Sequence, residues 1–188
     1  MSIVGAKVIR KEDPNLLTGR GQYVDDIQLT GITHMAFVRS TEAHALIKGI
    51  DVSAALECEG VIGAWTAADL ELPPLPEVPG LERPTLATDK VRFVGEAVAV
   101  IVAENKYAAA DGTELVVVDY DPLEAVTNIE EATKDDAPLL FEELGSNTVA
   151  EVPSADDHQA VFDSAPHTET IKLINNRCTA APIETSAC

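Results

Sequence analysis

Four histidines (His34, His44, His158, His167), three cysteines (Cys58, Cys178, Cys188) and 32 acidic residues are the groups here that could bind a metal or move a proton. Such chemistry depends on spacing, and the spacing is not there. No H-x-x-x-H or H-E-x-x-H stretch puts two imidazoles on one helix face. The carboxylate pairs Asp25-Asp26, Glu130-Glu131, Asp135-Asp136, Glu142-Glu143 and Asp156-Asp157 are adjacent residues. Neighbours point apart on strands and helices, so a pair does not make an acid–base couple. Cys58 lies between Glu57 and Glu59, whose charge disfavours a thiolate nucleophile. Three cysteines also fall short of the four thiolates that a typical Cys-ligated iron–sulfur cluster takes. Gly19-Arg20-Gly21 precedes a predicted strand rather than opening a helix, which is the wrong context for a dinucleotide fingerprint. Neither a GK[ST] phosphate loop nor a G-x-S-x-G elbow occurs. His44, in the turn R-S-T-E-A-H-A, is expected to hydrogen-bond a neighbouring loop. The expectation is that no residue here is catalytic, cofactor-binding or metal-ligating.

Composition narrows the classes further. With 188 residues, 46% of them hydrophobic, the chain can bury one real core. Aromatics make up only 4%, so that core rests on Val, Ile, Leu and Ala. Thirteen basic residues against 32 acidic ones give a net charge of −19, which repels nucleic-acid backbones and anionic lipid. The start of the chain lacks the apolar run of a signal peptide, and the longest apolar run, 97–103, is far short of the roughly 20 residues of a membrane helix. Widely spaced cysteines in odd number fit reduced thiols and a cytoplasmic location.

The elements that would position any site are legible from period and punctuation. Residues 1–17 read as an arm with a turn at Asp13-Pro14, and 19–27 as a short strand. Strands are predicted over 33–39, 45–50 and 61–65. Asp51 or Ser53 caps a brief helix through Leu56, and Thr66 with Asp69 opens a helical turn. The loop 71–84 carries five prolines, which strip donors and stiffen the backbone. Val91 to Val94 is expected to pair through Gly95-Glu96 with the run AVAVIVA at 97–103. That run shows no polar alternation, so both its faces should be covered. Asn105 caps an alanine-rich helix through Glu114, in which Gly112 signals close packing or an early end. A strand returns at 115–120, stopped by Asp121-Pro122. The order strand, strand, helix, strand over 33–66 recurs over 91–120 as an internal echo. Further on, 128–134 and 156–164 read as short helices, 137–152 as a connection laid over something else, and 167–175 as a strand by its alternation.

The segments LLTGRGQYVDDI (16–27), FVRSTEAHALI (37–47), GVIGAWTAADL (60–70), VRFVGEAVAVIVAE (91–104) and ELVVVDYDPLEAV (114–126) resemble, in order and spacing, the α/β hammerhead domain of the aldehyde oxidase and xanthine dehydrogenase family. NNRCTAAPIET (175–185) looks like the way into the molybdopterin-binding part of the same large subunit. The resemblance implies an α+β fold, with a hammerhead domain over 1–135 and, over 136–188, a linker and the start of the molybdopterin-binding domain. A hammerhead beginning near Met1 is similar to the separate large subunit of three-subunit enzymes such as carbon monoxide, aldehyde or N-heterocycle dehydrogenases. The implied cofactors are molybdopterin cytosine dinucleotide in the complete large subunit, and [2Fe–2S] clusters and FAD on the iron–sulfur and flavin subunits. The family's pterin-binding and catalytic motifs match no position here, so the segment is expected to be structural and inactive alone. The competing expectation is a free-standing protein-binding module that uses the acidic surface and the proline-rich loop 71–84, whose P-x-x-P spacings fit an SH3-type groove.

The unbroken apolar run 97–103 carries a direct test. Val100→Asp would place a lone charge in the core at a cost of several kcal/mol and abolish the cooperative melting transition. Unchanged melting would show that the strand is exposed.

Overall fold

Antiparallel pairing organises residues 34–122 into two three-stranded sheets. The computed structural model describes residues 4–5, 9–72, 81, 84–150, 158–176, 178–182 and 184. The strands are β1 (His34–Arg39), β2 (Ala45–Asp51), β3 (Val61–Thr66), β4 (Lys90–Val91), β5 (Ala97–Ala103) and β6 (Val117–Pro122). The helices are α1 (Asp13–Leu17), α2 (Ser53–Leu56), α3 (Lys106–Glu114), α4 (Ile129–Ala132) and α5 (Gln159–Ser164), with 3-10 turns at Val24–Asp26, Ala67–Asp69 and Glu142–Leu144. The chain divides into two compact units, Ile32–Asp156 and Met1–Gly31 with Asp157–Cys188.

In the unit Ile32–Asp156 the sheet orders are β1-β5-β3 and β4-β2-β6. The outer strands of the first sheet come from residues 34–66 and its central strand from 90–122. In the second sheet the ownership is reversed. The internal echo in the sequence is therefore a structural one, in which each half lends its middle strand to the other. The register supports this. Arg39 lies opposite Ala97 and Val91 opposite Ala45, a shift of 52 positions on both sides (39 to 91, 45 to 97).

The central strand β5 is the core. Val98, Ala99, Ile101 and Ala103 are fully buried, as expected for a strand covered on both faces. Val38, Ala45, Ala64, Ala87 and Val91 complete a core of small aliphatic groups. Helix α3 closes over it. Asn105 caps the helix, its Oδ1 accepting the N–H groups of Tyr107 and Ala108 at 3.0 Å each. A Cβ on Gly112 would lie 2.9 Å from Ile101 Cγ2 and 3.0 Å from Val61 Cγ2, so the glycine is there for close packing. The shorter α2 is held at its start by Asp51, whose Oδ1 accepts the Ser53 N–H at 2.9 Å and its hydroxyl at 2.5 Å. These two bonds keep the Asp51 carboxyl below the usual carboxylate range. Asp69 does the same for the turn after β3, accepting from the Thr66 N–H at 2.8 Å and hydroxyl at 2.7 Å.

Several expectations are corrected. The hairpin of 91–94 with 97–103 does not form. Lys90 and Val91 pair instead with Leu46 and Ala45 in the other sheet. The Glu96 carboxylate accepts the Arg92 N–H at 2.6 Å, and Gly95 at φ 92 turns the chain from one sheet to the next. That side-chain bond takes a donor that a hairpin ladder would use. Strand β6 starts at Val117 and runs on through Pro122, which is tolerated because β6 is an outer strand. Asp13-Pro14 opens α1 instead of a turn, with proline in the first helical turn where no donor is missed. Residues 19–27 hold a 3-10 turn rather than a strand, because Asp26 accepts the Tyr23 N–H at 2.9 Å. The segment 167–175 forms no ladder among the described residues, and Ile171, Leu173 and Ile174 are exposed. Most of the proline-rich loop, 73–80 and 82–83, lies outside the described residues. Among the described residues, no helix is long and apolar enough to cross a membrane.

Two effects compete at Gly112. Alanine there gains roughly 1 kcal/mol of helix propensity, while overpacking costs about 1–3 kcal/mol. With Ile101 and Val61 on either side, overpacking wins. Gly112→Ala is expected to lower the melting temperature, and a rise would show that β5 and β3 yield to the extra methyl.

Candidate functional site

The structure disperses the residues that could do chemistry. His34 opens β1 and His158 precedes α5. His167 is exposed, its Nε2 3.5 Å from a Glu169 carboxylate oxygen. Cys58 is half-buried and Cys178 exposed, while Cys188 and the pair Asp156-Asp157 lie outside the described residues. Asp25-Asp26 and Glu142-Glu143 sit in 3-10 turns, and Glu130-Glu131 in the first turn of α4, capped by Asn128. Asp135-Asp136 lies in the turn after α4. Gly19-Arg20-Gly21 follows α1 and opens no helix. Among the described residues, no three of His, Cys, Asp and Glu converge as metal ligands would. This donor set does not fit a molybdenum centre or an iron–sulfur cluster.

His44 is the histidine that the fold does employ. It is 5% exposed, and its Nδ1 lies 2.7 Å from the carbonyl oxygen of Glu124. The Leu123 N–H returns to the His44 carbonyl at 2.8 Å. Together these bonds fasten the chain leaving β6 to the start of β2, the loop contact expected from the sequence. Its Nε2 is buried without a partner.

The polar groups that do converge surround β4. Lys90 is buried and its ammonium pairs with the Glu142 carboxylate. The Arg92 Nε–H donates to the Leu140 carbonyl at 2.9 Å, and its guanidinium lies 4.7 Å from the centroid of the Phe141 ring. Asn147 ties the same segment from within. Its Oδ1 accepts the Leu140 N–H at 3.1 Å, and its Nδ2 donates to the Ala132 and Pro138 carbonyls at 3.1 and 2.9 Å. The connection 137–150 is thus strapped over β4, consistent with its reading as a segment laid over something else. Each of these contacts ends on a carbonyl, a backbone amide, a ring face or one counter-ion, an arrangement that fixes backbone. Sequence reasoning missed this cluster. Lys90 and Glu142 are 52 positions apart, and one glutamate among 32 acids carries no distinguishing signal.

A groove of about 460 Å³ is lined by Phe37 and Arg39 of β1, Glu114 at the end of α3 and Tyr120 of β6. Arg39 is already engaged there, donating from Nη1 to the Gly95 carbonyl at 2.8 Å.

The Lys90–Glu142 pair gives a pH dependence whose sign follows from its cause. The hydrogen bond from Lys90, and after it one from the Glu142 backbone, hold the Glu142 carboxyl below the ordinary glutamate range against some opposition from burial, with smaller help from the Lys90 and Arg92 charges. A lowered folded value means stabilisation that is complete above the unfolded value and lost as pH falls through the folded one. Glu142 is 58% exposed, so the gain is no more than about 1 kcal/mol. Glu142→Gln should lower stability by that amount near neutrality and match the wild type in acid, once the Glu142 carboxyl is protonated in the folded protein. A gap in denaturant midpoint that persists in acid would overturn this account.

The family described as aldehyde oxidase and xanthine dehydrogenase, a/b hammerhead domain, matches residues 18–124. The nicotine 6-hydroxylase large subunit of Paenarthrobacter nicotinovorans is 39% identical over 100% of this chain and 24% of its own length. The carbon monoxide dehydrogenase large chain of Afipia carboxidovorans is 41% identical over 85% of this chain and 20% of its own. Among solved structures, quinoline 2-oxidoreductase from Pseudomonas putida 86 superposes with a TM-score of 0.73 at 38% identity, over 87% of this chain and 22% of that one. This chain therefore spans about a fifth to a quarter of the length of these relatives. Two small sheets with helices against them are the α+β hammerhead arrangement of such proteins, and the chain belongs to the aldehyde oxidase and xanthine dehydrogenase family, whose a/b hammerhead domain it carries.

Proposed function

We propose that this chain is the N-terminal, structural part of the large subunit of a molybdenum hydroxylase of the carbon monoxide, aldehyde or N-heterocycle dehydrogenase type. Residues 1–135 form the hammerhead domain, and 136–188 link it to the molybdopterin-binding domain and begin that domain. The observation that carries the reading is the match to the nicotine 6-hydroxylase large subunit, which runs over the whole chain. The fate of the polar groups supports it. Asp51, Asp69, Asn105, His44, Lys90, Arg92 and Asn147 are all engaged in holding backbone or neighbouring segments.

In this reading the complete subunit binds molybdopterin cytosine dinucleotide and hydroxylates an electron-poor carbon with oxygen from water. Electrons pass through [2Fe–2S] clusters to FAD on partner subunits, and the assembly works in the cytoplasm. The hammerhead braces the domain that holds the pterin and contributes to the contact with the iron–sulfur subunit. It supplies no ligand and no proton-transfer group.

The test splits the large subunit after position 188 and coexpresses both pieces with the iron–sulfur and flavin subunits. Coelution of the 188-residue piece with the remainder, molybdenum and pterin in the remainder, and no turnover by the piece alone are expected. Pieces that stay apart would end the bracing role, and turnover by the isolated piece would end the assignment as structural.

A further inference from the structure

The central strands β5 and β2 are related by a shift of 52 positions (45 to 97), whereas β3 and β6 are offset by 56 (Val61 opposite Ala103, Val117 opposite Asp51), and the two sheets also differ at β4. In the first sheet β1 lies along the whole of β5, from His34 opposite Ala103 to Arg39 opposite Ala97. Its counterpart β4 covers only Ala45 and Leu46 of β2. By the shift, residues 86–89 should lie beside 48–51. They do not. Leu86 and Ala87 turn into the core at 1% exposure each, and the Ala87 N–H goes to the Ala97 carbonyl at 2.8 Å. The last bond across is the Ile47 N–H to the Asp89 carbonyl at 2.8 Å. Among the described residues, no strand covers that edge of β2 beyond this point, although β2 is the central strand of its sheet.

The place left open is a groove of about 350 Å³, lined by Ile47, Gly49, Ile50, Ala68, Ala87 and Thr88. A Cβ on Gly49 would meet nothing within 4 Å. A half-covered central strand presents unpaired backbone groups beside apolar side chains, which is the arrangement that takes up an added strand.

We propose that an extended segment of the large subunit, from the part outside these 188 residues, adds to β2 at 48–51 and completes the second sheet. This rests on the reading of the chain as part of such a subunit. The occupant follows from two facts. The chain spans 20–24% of the length of its relatives, so most of the polypeptide that could reach the groove lies outside it. Asp51, Asp69 and Asp89 each follow a lining residue in sequence (Ile50, Ala68 and Thr88), while the groove's lysine, Lys48, is paired with Asp121 at 3.1 Å. The segment therefore carries small or apolar side chains at alternate positions, with lysine or arginine at its ends.

The experiment uses the full-length large subunit purified with its partner subunits. Hydrogen exchange read by mass spectrometry should show at least one of the amides of 48–51 that point away from β6 roughly tenfold slower than an unpaired edge allows. An amine-reactive cross-linker should join Lys48 to a segment of the same chain outside these 188 residues. Ala68→Trp, which fills the groove from an exposed position, should restore fast exchange, while Ala110→Trp on the outer face of α3 should not. Fast exchange in the wild type, a cross-link to another subunit, or protection unchanged by Ala68→Trp would each overturn the proposal. Molybdenum and pterin content of the same preparation reports separately on the enzyme reading.

Discussion

Everything in the unit Ile32–Asp156 depends on the burial of a central strand between two strands that belong to the other half of the chain. β5 takes its partners from β1 on one edge and β3 on the other, and β2 lies between β4 and β6. Residues 34–66 alone would hold two outer strands with nothing between them, and residues 90–122 would fare no better. Neither half can satisfy its backbone donors by itself, so the two must fold as one. The pairs involved are distant in sequence, as with His34 opposite Ala103. Closing such loops is costly before any contact rewards it, which makes this topology slow to form and cooperative once formed.

A core of Val, Ile and Ala suits that exchange. Small side chains let α3 approach β5 until Gly112 meets Ile101 and Val61, and the capping Asn105 fixes where the helix begins. The strap over β4 answers a second problem. β4 is only two residues long, and two ladder positions do little to hold a strand in place. Lys90 and Arg92 anchor it from outside the sheet through Glu142, Leu140 and Phe141. The buried lysine stem adds apolar contact while its ammonium reaches the half-exposed carboxylate.

Local signals in the sequence were readable where a residue acts on its own neighbours. The apolar run of β5, the caps Asn105 and Thr66–Asp69, and the tight fit at Gly112 each follow from side-chain type and position. Partners were not readable. The hairpin expected between 91–94 and 97–103 failed because the Glu96 carboxylate captures the Arg92 N–H, a bond that alternation does not foretell. The strand expected at 167–175 has the right alternation but no ladder among the described residues, since a strand is defined by what lies beside it. Lys90, Arg92 and Asn147 carry no pattern at all, because their partners are up to 52 positions away and chemically unremarkable. The sheet exchange was visible only as an echo of element order.

The same 52-position shift explains why two very different buried polar residues stand where they do. It places His44 and Glu96 at equivalent sites, each immediately before a central strand and each buried, at 5% and 6% exposure. Glu96 works on the chain that approaches its own strand, and His44 on the chain that leaves β6. The His44 imidazole holds the Glu124 carbonyl and the Glu96 carboxylate holds the Arg92 amide. Their carbonyls are engaged on different edges, the His44 carbonyl accepting the Leu123 N–H beyond β6 and the Glu96 carbonyl the Ser40 N–H beyond β1, each at 2.8 Å. A buried imidazole and a buried carboxylate in one fold would ordinarily invite a catalytic reading. Here each is spent on a backbone group of a neighbouring segment. Two positions related by an internal repeat thus seat the central strand that follows each of them, one through a distant segment and one through its own turn.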